Sequence, residues 1–264
     1  SGGGVGVADS IDNTTSGGLA KSGGGTLTLS GLNAFAGATT IGGGTVQADN
    51  VDARGSGDIT FIGGTLRYTA ATSVTEWAAR FKNSTAAISL DTNGEVVTLA
   101  AAIDSTNTGG LEKAGVGTPI LSGANAFTGV TTISGGTLRL GNSSALQGST
   151  FAGGAGTLSF GSLTTATFGG LSGSTAVTLE NDSSAAVALA IGGNNADTNY
   201  SGVLSGGGSL VKSGSGIFTL SGGSANTNTG AISVTAGQLV LGKTAGVDAI
   251  AGDLNISGGA KVTF

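Results

Sequence analysis

The chain has 264 residues, of which 53 are glycine, one is proline and 9% are charged. So much glycine disfavours helices, there is no three-residue glycine period, and the 38% of hydrophobic residues supply enough apolar surface to order the chain, which excludes helical, collagenous and disordered proteins. Cysteine, methionine and histidine are absent and the net charge is −5, which excludes disulfides, thiol or imidazole catalysis and nitrogen- or sulfur-ligated zinc, and argues against nucleic-acid binding.

The first predicted elements are three short strands within a repeat copy at residues 18–46. Residues 26–29 alternate threonine and leucine and end in Ser-Gly, residues 39–41 follow a polar corner that contains asparagine and phenylalanine, and residues 45–46 follow consecutive glycines. Alternation of polar and apolar residues is typical of strands, and glycine suits the corners between them.

The next stretch contains a further Gly-Gly-Thr-Leu strand at residues 63–68 and then departs from the pattern. Within residues 73–82, four apolar residues recur at the spacing of one face of a helix. This spacing predicts one short helix near residues 74–82, with Ser73 or Thr75 as its cap. We interpret the tryptophan of this segment as a packing residue. The four residues at helical spacing are Val74, Trp77, Ala78 and Phe81.

A second repeat copy at residues 110–138 aligns with the first without a gap. A third, more divergent copy at residues 209–241 carries a small insertion at residues 224–229. Weaker relatives of the Gly-Gly-Thr-Leu strand occur at residues 156–160 and 257–264, so the pattern extends over nearly the whole chain.

One repeat unit cannot bury its apolar side alone, whereas stacked units form a continuous core. The sequence therefore predicts an all-β protein: a single right-handed parallel β-helix over residues 1–264, shaped as an elongated rod. At roughly 20 to 25 residues per turn, the chain is expected to make about 11 to 13 turns. Leucine, valine, isoleucine, phenylalanine and alanine are predicted to point inward, and threonine and serine outward.

Positions that recur between the copies define a structural repeat signature. Its glycines are expected to form corners, where Asn33 and Asn125 are the residues next best suited to positive φ. Its three lysines could form a stripe that binds an anionic glycan, but we favour a role as solvating or edge-protecting charges. The signature comprises Lys21, Gly25, Leu29, Gly31, Asn33, Phe35, Gly37, Ile41, Lys113, Gly117, Leu121, Gly123, Asn125, Phe127, Gly129, Ile133, Lys212, Gly216, Leu220 and Gly222.

The pattern Gly-Leu-x-Lys-x-Gly-x-Gly-Thr, followed by Leu-Ser-Gly-x-Asn-x-Phe-x-Gly-x-Thr-Thr-Ile-x-Gly-Gly-Thr-Leu, resembles the autotransporter-associated β-strand repeat, also called the passenger-associated transport repeat. The resemblance implies a secreted or cell-surface passenger of a type V secretion system, exported through an outer-membrane barrel that lies outside this segment. It also implies that the repeat aids folding and transport, and that many carriers are adhesins or self-associating surface proteins.

Carboxylates are the acid or base groups that remain for catalysis. The best local cluster is Asp49, Asp52 and Asp58, near Arg54, and a second is Asp9 with Asp12. Aspartates also collect at solvated corners, where they help to form turns. We interpret both clusters as structural and predict no catalytic residue and no enzyme.

Residues 181–182 (Asn-Asp) and 194–197 (Asn-Asn-Ala-Asp) carry side-chain oxygens of the kind that bind calcium. The Gly-Gly-x-Gly-x-Asp array that binds calcium in stacked repeats does not occur in the sequence. We therefore expect no metal and no cofactor. We also expect no membrane insertion by this chain, since no apolar run reaches about 18 residues.

Three functional hypotheses follow. The favoured one is a non-enzymatic extracellular or cell-surface scaffold or stalk. The second is a self-associating adhesin or fibre subunit, with side-by-side or end-to-end contacts or contacts to glycans or a host surface; joining Phe264 to Ser1 continues the strand pattern. The third and most remote is a β-helical polysaccharide-degrading enzyme.

Overall fold

The computed structural model describes residues 5–7, 17–33, 35–51, 55–74 and 76–264. These residues form short strands and one 3-10 helix, Ala78–Arg80. The strands are β1 Val5–Val7, β2 Leu19–Lys21, β3 Thr26–Leu29, β4 Thr39–Ile41, β5 Thr45–Ala48, β6 Ile59–Phe61, β7 Thr65–Arg67, β8 Ile88–Asp91, β9 Val96–Leu99, β10 Leu111–Ala114, β11 Thr118–Leu121, β12 Val130–Ile133, β13 Thr137–Leu140, β14 Leu146–Gly153, β15 Thr157–Ser159, β16 Thr165–Leu171, β17 Val177–Thr178, β18 Ala188–Ile191, β19 Thr198–Tyr200, β20 Leu204–Ser205, β21 Leu210–Lys212, β22 Ile217–Gly222, β23 Ile232–Val234, β24 Gln238–Lys243, β25 Leu254–Ile256 and β26 Lys261–Thr263.

The strands stack into a parallel β-solenoid of about 11 turns, which confirms the predicted all-β fold class. One sheet, called the long sheet here, contains thirteen strands in the order β1-β3-β5-β7-β8-β10-β12-β14-β16-β18-β21-β23-β25. The other sheets are β2-β4-β6, β9-β11-β13-β15, β17-β20 and β19-β22-β24-β26. Every ladder between the described strands is parallel, and a strand inside a sheet pairs with one strand of the preceding turn and one of the following turn.

The apolar core is a column that runs along the solenoid axis. On the long sheet, Val46 pairs with Leu66 and Leu66 pairs with Leu90, and all three side chains are buried. Strand β13 shows the predicted alternation, because Leu138 and Leu140 are buried and the residues that alternate with them are half-buried. On β9 the Val96 side chain is exposed, so the inward position predicted for valine was wrong there. The inward side chains of successive turns thus contact one another, and burial of this apolar area stabilises the stack.

The copies of the repeat do not occupy the same side of the solenoid. In the first copy the lysine-bearing strand β2 lies in the three-stranded sheet, and β3 lies in the long sheet. In the second copy the equivalent strand β10 lies in the long sheet, and β11 lies in the sheet with β9. The third copy follows the second, with β21 in the long sheet. The pattern is therefore rotated by one side between the first and second copies.

The rotation takes place in residues 68–87, between β7 and β8. This segment crosses the edge of β6, where Phe81 bridges Ile59 and the Lys82 N–H donates to the Ile59 carbonyl at 3.0 Å. The following strand then enters the long sheet, where Leu90 pairs with Leu66. Residues 68–87 thus cover the edge of the three-stranded sheet at β6 and lead into β8 of the long sheet. This path shifts the repeat by one side around the solenoid axis.

The short helix predicted near residues 74–82 is present as the 3-10 helix. Trp77 packs on Tyr68 with ring centroids 4.8 Å apart, and Phe81 packs edge-on against Phe61 at 5.5 Å, which confirms the packing role of the tryptophan. The Val74 side chain is 89% exposed, so its assignment to the helical apolar face was wrong.

The helix is also capped differently from the prediction. The Ala78 N–H donates to the Glu76 carboxylate at 2.5 Å, whereas the Ser73 hydroxyl donates to the Ala70 carbonyl at 3.1 Å. Thr75 lies outside the described residues. A carboxylate two residues ahead therefore satisfies the first helical N–H in place of Ser73.

Candidate functional site: the lysine-capped glycine corners

The three signature lysines occupy inward-facing strand positions, in register with apolar residues of the next turn. Lys21 pairs with Ile41, Lys113 with Ile133 and Lys212 with Val234. The Lys113 side chain is 0% exposed and Lys212 is 1% exposed, while Lys21 is half-buried. The interpretation of these lysines as solvating charges was wrong, because strand alternation turns the aliphatic stem into the core.

Each buried ammonium group is satisfied by backbone carbonyls of the glycine corner that follows its strand. The Lys113 Nζ donates to the carbonyls of Ala114 (2.5 Å), Gly115 (2.8 Å) and Val116 (3.3 Å). These acceptors all belong to its own turn. A buried cation without such partners would be strongly destabilising, so the corner must adopt the conformation that turns its carbonyls inward.

In the other two copies the lysine also reaches the next turn. The Lys212 Nζ donates to Ser213 (2.6 Å) and Gly214 (2.9 Å) of its own corner and to the Ala236 carbonyl at 3.3 Å. In the first copy the Lys21 Nζ donates to two carbonyls of its own corner and, at 3.0 Å, to the carbonyl of Gly43. These two lysines therefore connect stacked corners.

Burial changes the acid strength of these groups. Desolvation lowers the pKa of both Lys113 and Lys212 below the ordinary lysine value of 10.5, and the nearby charges of Asp91 and Asp197, respectively, oppose that shift. The ammonium groups are therefore held by carbonyl dipoles at some cost in solvation.

A glycine of the next turn lies beneath each lysine corner, and no larger residue fits there. Gly136 has φ of +65°, and a Cβ on it would lie 2.5 Å from the Gly117 carbonyl oxygen and 2.9 Å from the Lys113 Nζ. Gly44 and Gly237 have φ of +61° and +66° and similarly close carbonyl contacts. The Gly-Gly-Thr element of the repeat is thus the lower half of a two-turn corner.

The signature asparagine is a link between turns and not a positive-φ corner residue. The Asn125 Oδ1 accepts from the Ile103 N–H at 2.9 Å, and its Nδ2 donates to the Ala145 carbonyl at 2.9 Å. Among the described residues, the positive φ angles outside glycine belong to Asn83, Asn93, Ser184 and Asn195. The predicted corner role of Asn33 and Asn125 was therefore wrong, although both are buried as a structural residue would be.

Two further asparagines bond to neighbouring turns, Asn226 to the turns on both sides and Asn107 to the preceding turn, and the repeat signature does not include them. The Asn226 Oδ1 accepts from the Leu204 N–H at 3.0 Å, and its Nδ2 donates to the Ala249 carbonyl at 2.7 Å. The Asn107 Oδ1 accepts from the Ser84 N–H, and its Nδ2 donates to the Phe81 carbonyl. Asn226 follows the Leu-Ser-Gly of residues 220–222 as Asn125 follows that of residues 121–123, with the small insertion between, and this is the signal that could have identified it.

The remaining signature side chains lie in the core. Phe35 and Phe127 are buried, as are the leucines and isoleucines of the signature, and Gly117, Gly129 and Gly222 have positive φ. These positions explain why the repeat has apolar residues and glycines where it does. The buried signature leucines and isoleucines are Leu29, Ile41, Leu121, Ile133 and Leu220.

The proposed acidic clusters do not form a described catalytic pair. The Asp49 carboxylate accepts from Gln47 Nε2 at 3.0 Å, and the charge of Asp58 acts on Arg80, which is bonded to the Gly57 carbonyl. Asp9, Asp12, Asp52 and Arg54 lie outside the described residues.

The candidate calcium ligands make hydrogen bonds within the solenoid. Asp182 accepts from the Ser159 hydroxyl at 2.7 Å and pairs with Arg139 at 3.2 Å, and Asp197 accepts from the Ile217 N–H at 2.7 Å. Backbone N–H groups two residues ahead donate to the side chains of Asn181 and Asn194. The Asn195 side chain accepts from a backbone N–H of the next turn of the solenoid. Within the described ranges, no three acidic side chains converge as metal ligands would.

A fourth lysine makes a comparable cluster on the outer surface. The Lys243 Nζ donates to the carbonyls of Gly202 (3.3 Å), Ser221 (3.0 Å) and Ser224 (2.7 Å), and desolvation lowers its pKa. Lys243 lies outside the repeat pattern, so no sequence motif distinguishes it from other surface lysines.

Comparison with known proteins identifies a repeat family and a relative. A family described as passenger-associated-transport-repeat matches residues 19–48, 111–140 and 210–241, close to the predicted copies. The adhesin BmaC autotransporter of Brucella suis biovar 1 (strain 1330) is 34% identical over 233 residues, which cover 80% of this chain and 6% of that protein. No solved structure matches the chain. In the part of the chain that the structure describes, no helix has the length and apolar character needed to cross a membrane.

Proposed function

Because the chain belongs to the autotransporter passengers built from passenger-associated transport repeats, we propose that it is a non-enzymatic stalk that spaces or displays other parts of a surface protein. Passengers of this kind lie at the cell surface or outside the cell, and this chain shares that location. The chain spans about 6% of the length of its Brucella relative, so the stalk is proposed as one segment of a longer passenger.

The observation that carries this proposal is the long sheet. Its thirteen parallel strands follow one another turn by turn, and each turn contacts mainly its neighbours. In such a stack, folding can propagate from one turn to the next as the chain emerges from a membrane pore. A scaffold needs this continuity and does not need a cleft.

The described carboxylates support a non-enzymatic role. Asp91 pairs with Arg67 at 2.8 Å, Asp104 pairs with Lys82, and Asp197 accepts a backbone N–H. These groups are engaged in holding turns together. Glycosidic bond cleavage would need two carboxyl groups on either side of a sugar.

The test is to measure the shape and the activity of the purified chain. Small-angle scattering and electron micrographs should give a monodisperse rod of about 50 to 60 Å, since strands stack about 4.8 Å apart. Incubation with a panel of polysaccharides should release no reducing sugar. A compact globule, or sugar release that Asp49→Ala abolishes, would contradict the proposal.

Self-association is the second candidate function, and one surface favours it. Val96 and Val116 are 60% and 65% exposed. Val96 begins strand β9, and Val116 lies in the corner of the next turn, where its carbonyl accepts from the Gly94 N–H at 3.2 Å. Apolar side chains on neighbouring turns could join two rods side by side. The Brucella relative is named an adhesin, and adhesion by such pairing is proposed here for the longer passenger.

Sedimentation of the purified chain over a range of concentrations distinguishes the two candidates. Lateral pairing predicts dimers at high concentration that disappear in Val96→Asp/Val116→Asp. A Val74→Asp variant, at an exposed valine elsewhere, is the control and should pair as the parent does. Monomers at every concentration would leave the stalk without self-association.

A further inference from the structure

The apolar column by itself does not determine which residues of neighbouring turns face each other. At β21 and β23, Leu210 pairs with Ile232, and a slip of two residues would place it opposite Val234. A slip of two keeps every side chain on its own face, in contrast to a slip of one. Apolar burial would then be nearly the same in both arrangements.

The lysine corner changes in such a slip. The Lys212 Nζ reaches the Ala236 carbonyl at 3.3 Å only because Lys212 is opposite Val234. The glycine beneath the corner, Gly237, would also move away, although a Cβ at that position would lie 2.5 Å from the Gly214 and Gly216 carbonyl oxygens. A residue other than glycine would then lie beneath the Lys212 corner, and its Cβ would collide with the carbonyl oxygens of that corner.

Lys21 shows the same arrangement independently. Its Nζ donates to the Gly43 carbonyl at 3.0 Å while Lys21 is opposite Ile41, and Gly44 lies beneath the corner. In both copies the lysine ammonium group, buried at Lys212 and half-buried at Lys21, is satisfied partly by the next turn, and a mispaired turn would leave it with one partner fewer. Leaving a buried charged group without partners costs more than the bond itself contributes.

We propose that Lys21 and Lys212 determine the register between their turn and the next one. They are specificity-determining residues, which act as a single buried polar residue does in fixing the register of a coiled coil. This role concerns assembly of the solenoid and does not depend on what the surface binds.

The test is disulfide trapping, for which the chain is well suited because it has no cysteine. Val211 pairs with Ser233 on the outer face, so Val211→Cys/Ser233→Cys reports the native register. Val211→Cys/Thr235→Cys reports the slip of two residues that places Leu210 opposite Val234. Adjacent parallel strands bring Cα atoms within the 4.4 to 6.8 Å that disulfides need.

In the parent background, mild oxidation should cross-link the native pair and leave the slipped pair reduced. Adding Lys212→Met, which keeps the volume of the stem, should raise the ratio of slipped to native cross-link by at least about tenfold, the change that a loss of about 1.4 kcal/mol of preference produces. Lys113→Met is the matched control, since the bonds that it removes all lie within the lysine's own turn. With Glu112→Cys/Thr132→Cys as the native pair and Glu112→Cys/Ser134→Cys as the slipped pair, its ratio should equal that of the parent.

An unchanged ratio in folded Lys212→Met would overturn the proposal. If circular dichroism shows that this variant does not fold, Lys21→Met decides, with Ala20→Cys/Thr40→Cys as the native pair and Ala20→Cys/Gly42→Cys as the slipped pair. Loss of the β signal in both methionine variants would show that the lysines are needed for folding itself, which also overturns a role in register.

Discussion

The first and second copies of the repeat have nearly the same sequence, yet they lie on different sides of the solenoid. The lysine strand of the first copy, β2, belongs to a three-stranded sheet, and that of the second, β10, belongs to the long sheet. Both copies nevertheless build the same corner, with a lysine above and a positive-φ glycine below. The repeat therefore encodes a corner and its two strands, and it does not encode a side of the solenoid.

The largest expected effect comes from the glycine beneath the corner. Gly136→Val should abolish folding or cost about 4 kcal/mol or more, because it combines a positive φ with a Cβ 2.5 Å from a carbonyl oxygen. If the corner is independent of its side, Gly44→Val should be equally damaging. Thermal unfolding followed by circular dichroism measures both.

Gly94→Val is the control for this comparison. Gly94 also has a positive φ, of +91°, but a Cβ there would contact nothing within 4 Å. It should cost only the backbone strain of about 1 to 3 kcal/mol. Equal losses for Gly94 and Gly136 would mean that close stacking of the corners contributes nothing.

The second expected effect tests the segment that rotates the repeat. Trp77→Ala should destabilise the protein by about 3 to 5 kcal/mol, because the indole is buried against Tyr68. Since turns contact mainly their neighbours, amide hydrogen exchange should rise first around residues 59–91 and remain slow in the third copy. Uniform acceleration along the chain would contradict neighbour-only coupling.

A smaller effect is expected from the asparagine links. Asn125→Ala should cost about 1 to 3 kcal/mol, because the Ile103 N–H and the Ala145 carbonyl both lose a buried partner. Asn226→Ala should cost a similar amount, since its bonds are of the same kind. Asn142→Ala is the control and should have less effect in urea unfolding, because this side chain is half-buried and its bonds, to the Ser122 carbonyl at 3.3 Å and from the Ser144 N–H at 2.8 Å, are accessible to water that can replace them.

The smallest effect is the dependence of stability on alkaline pH. Burial lowers the pKa of Lys113 and Lys212 in the folded protein, so just below pH 10.5 the unfolded chain binds more protons than the folded one. The free energy of unfolding should therefore rise with pH in this window, and the slope should shrink in Lys113→Met. Burial of Tyr200 raises its pKa above 10.0 and acts in the opposite direction at higher pH. A falling free energy between pH 8 and pH 9.5 would contradict the lysine assignment.

Much of the fold could be predicted because the relevant interactions are local. Alternation of buried and half-buried residues at β5 and β13 follows from the period of two along a strand. Consecutive glycines before Thr45 and Thr137 predict a corner because few other residues adopt positive φ. The copy boundaries follow from self-similarity and agree with the matched family positions.

The lysines and asparagines could not be assigned in the same way. Lys113 lies two residues after Leu111, so alternation places both on the core face, but a lysine is not expected in a core unless polar partners satisfy it. Those partners are carbonyls that the corner turns inward only in the folded structure. Asn125 was placed at a corner by its residue type, whereas its role depends on an N–H and a carbonyl contributed by the turns on either side. Partners about 20 residues away in both directions are not visible in a local pattern.

The amino-acid sequence by itself determined that the chain forms short strands, tight glycine corners and an apolar column, since these depend on backbone conformation and on alternation within a few residues. Only the tertiary structure decided that the lysines are buried, that the asparagines join turns and that the first copy is rotated relative to the others. These features depend on which carbonyls and strands of the neighbouring turn lie opposite, and that is settled when the turns stack.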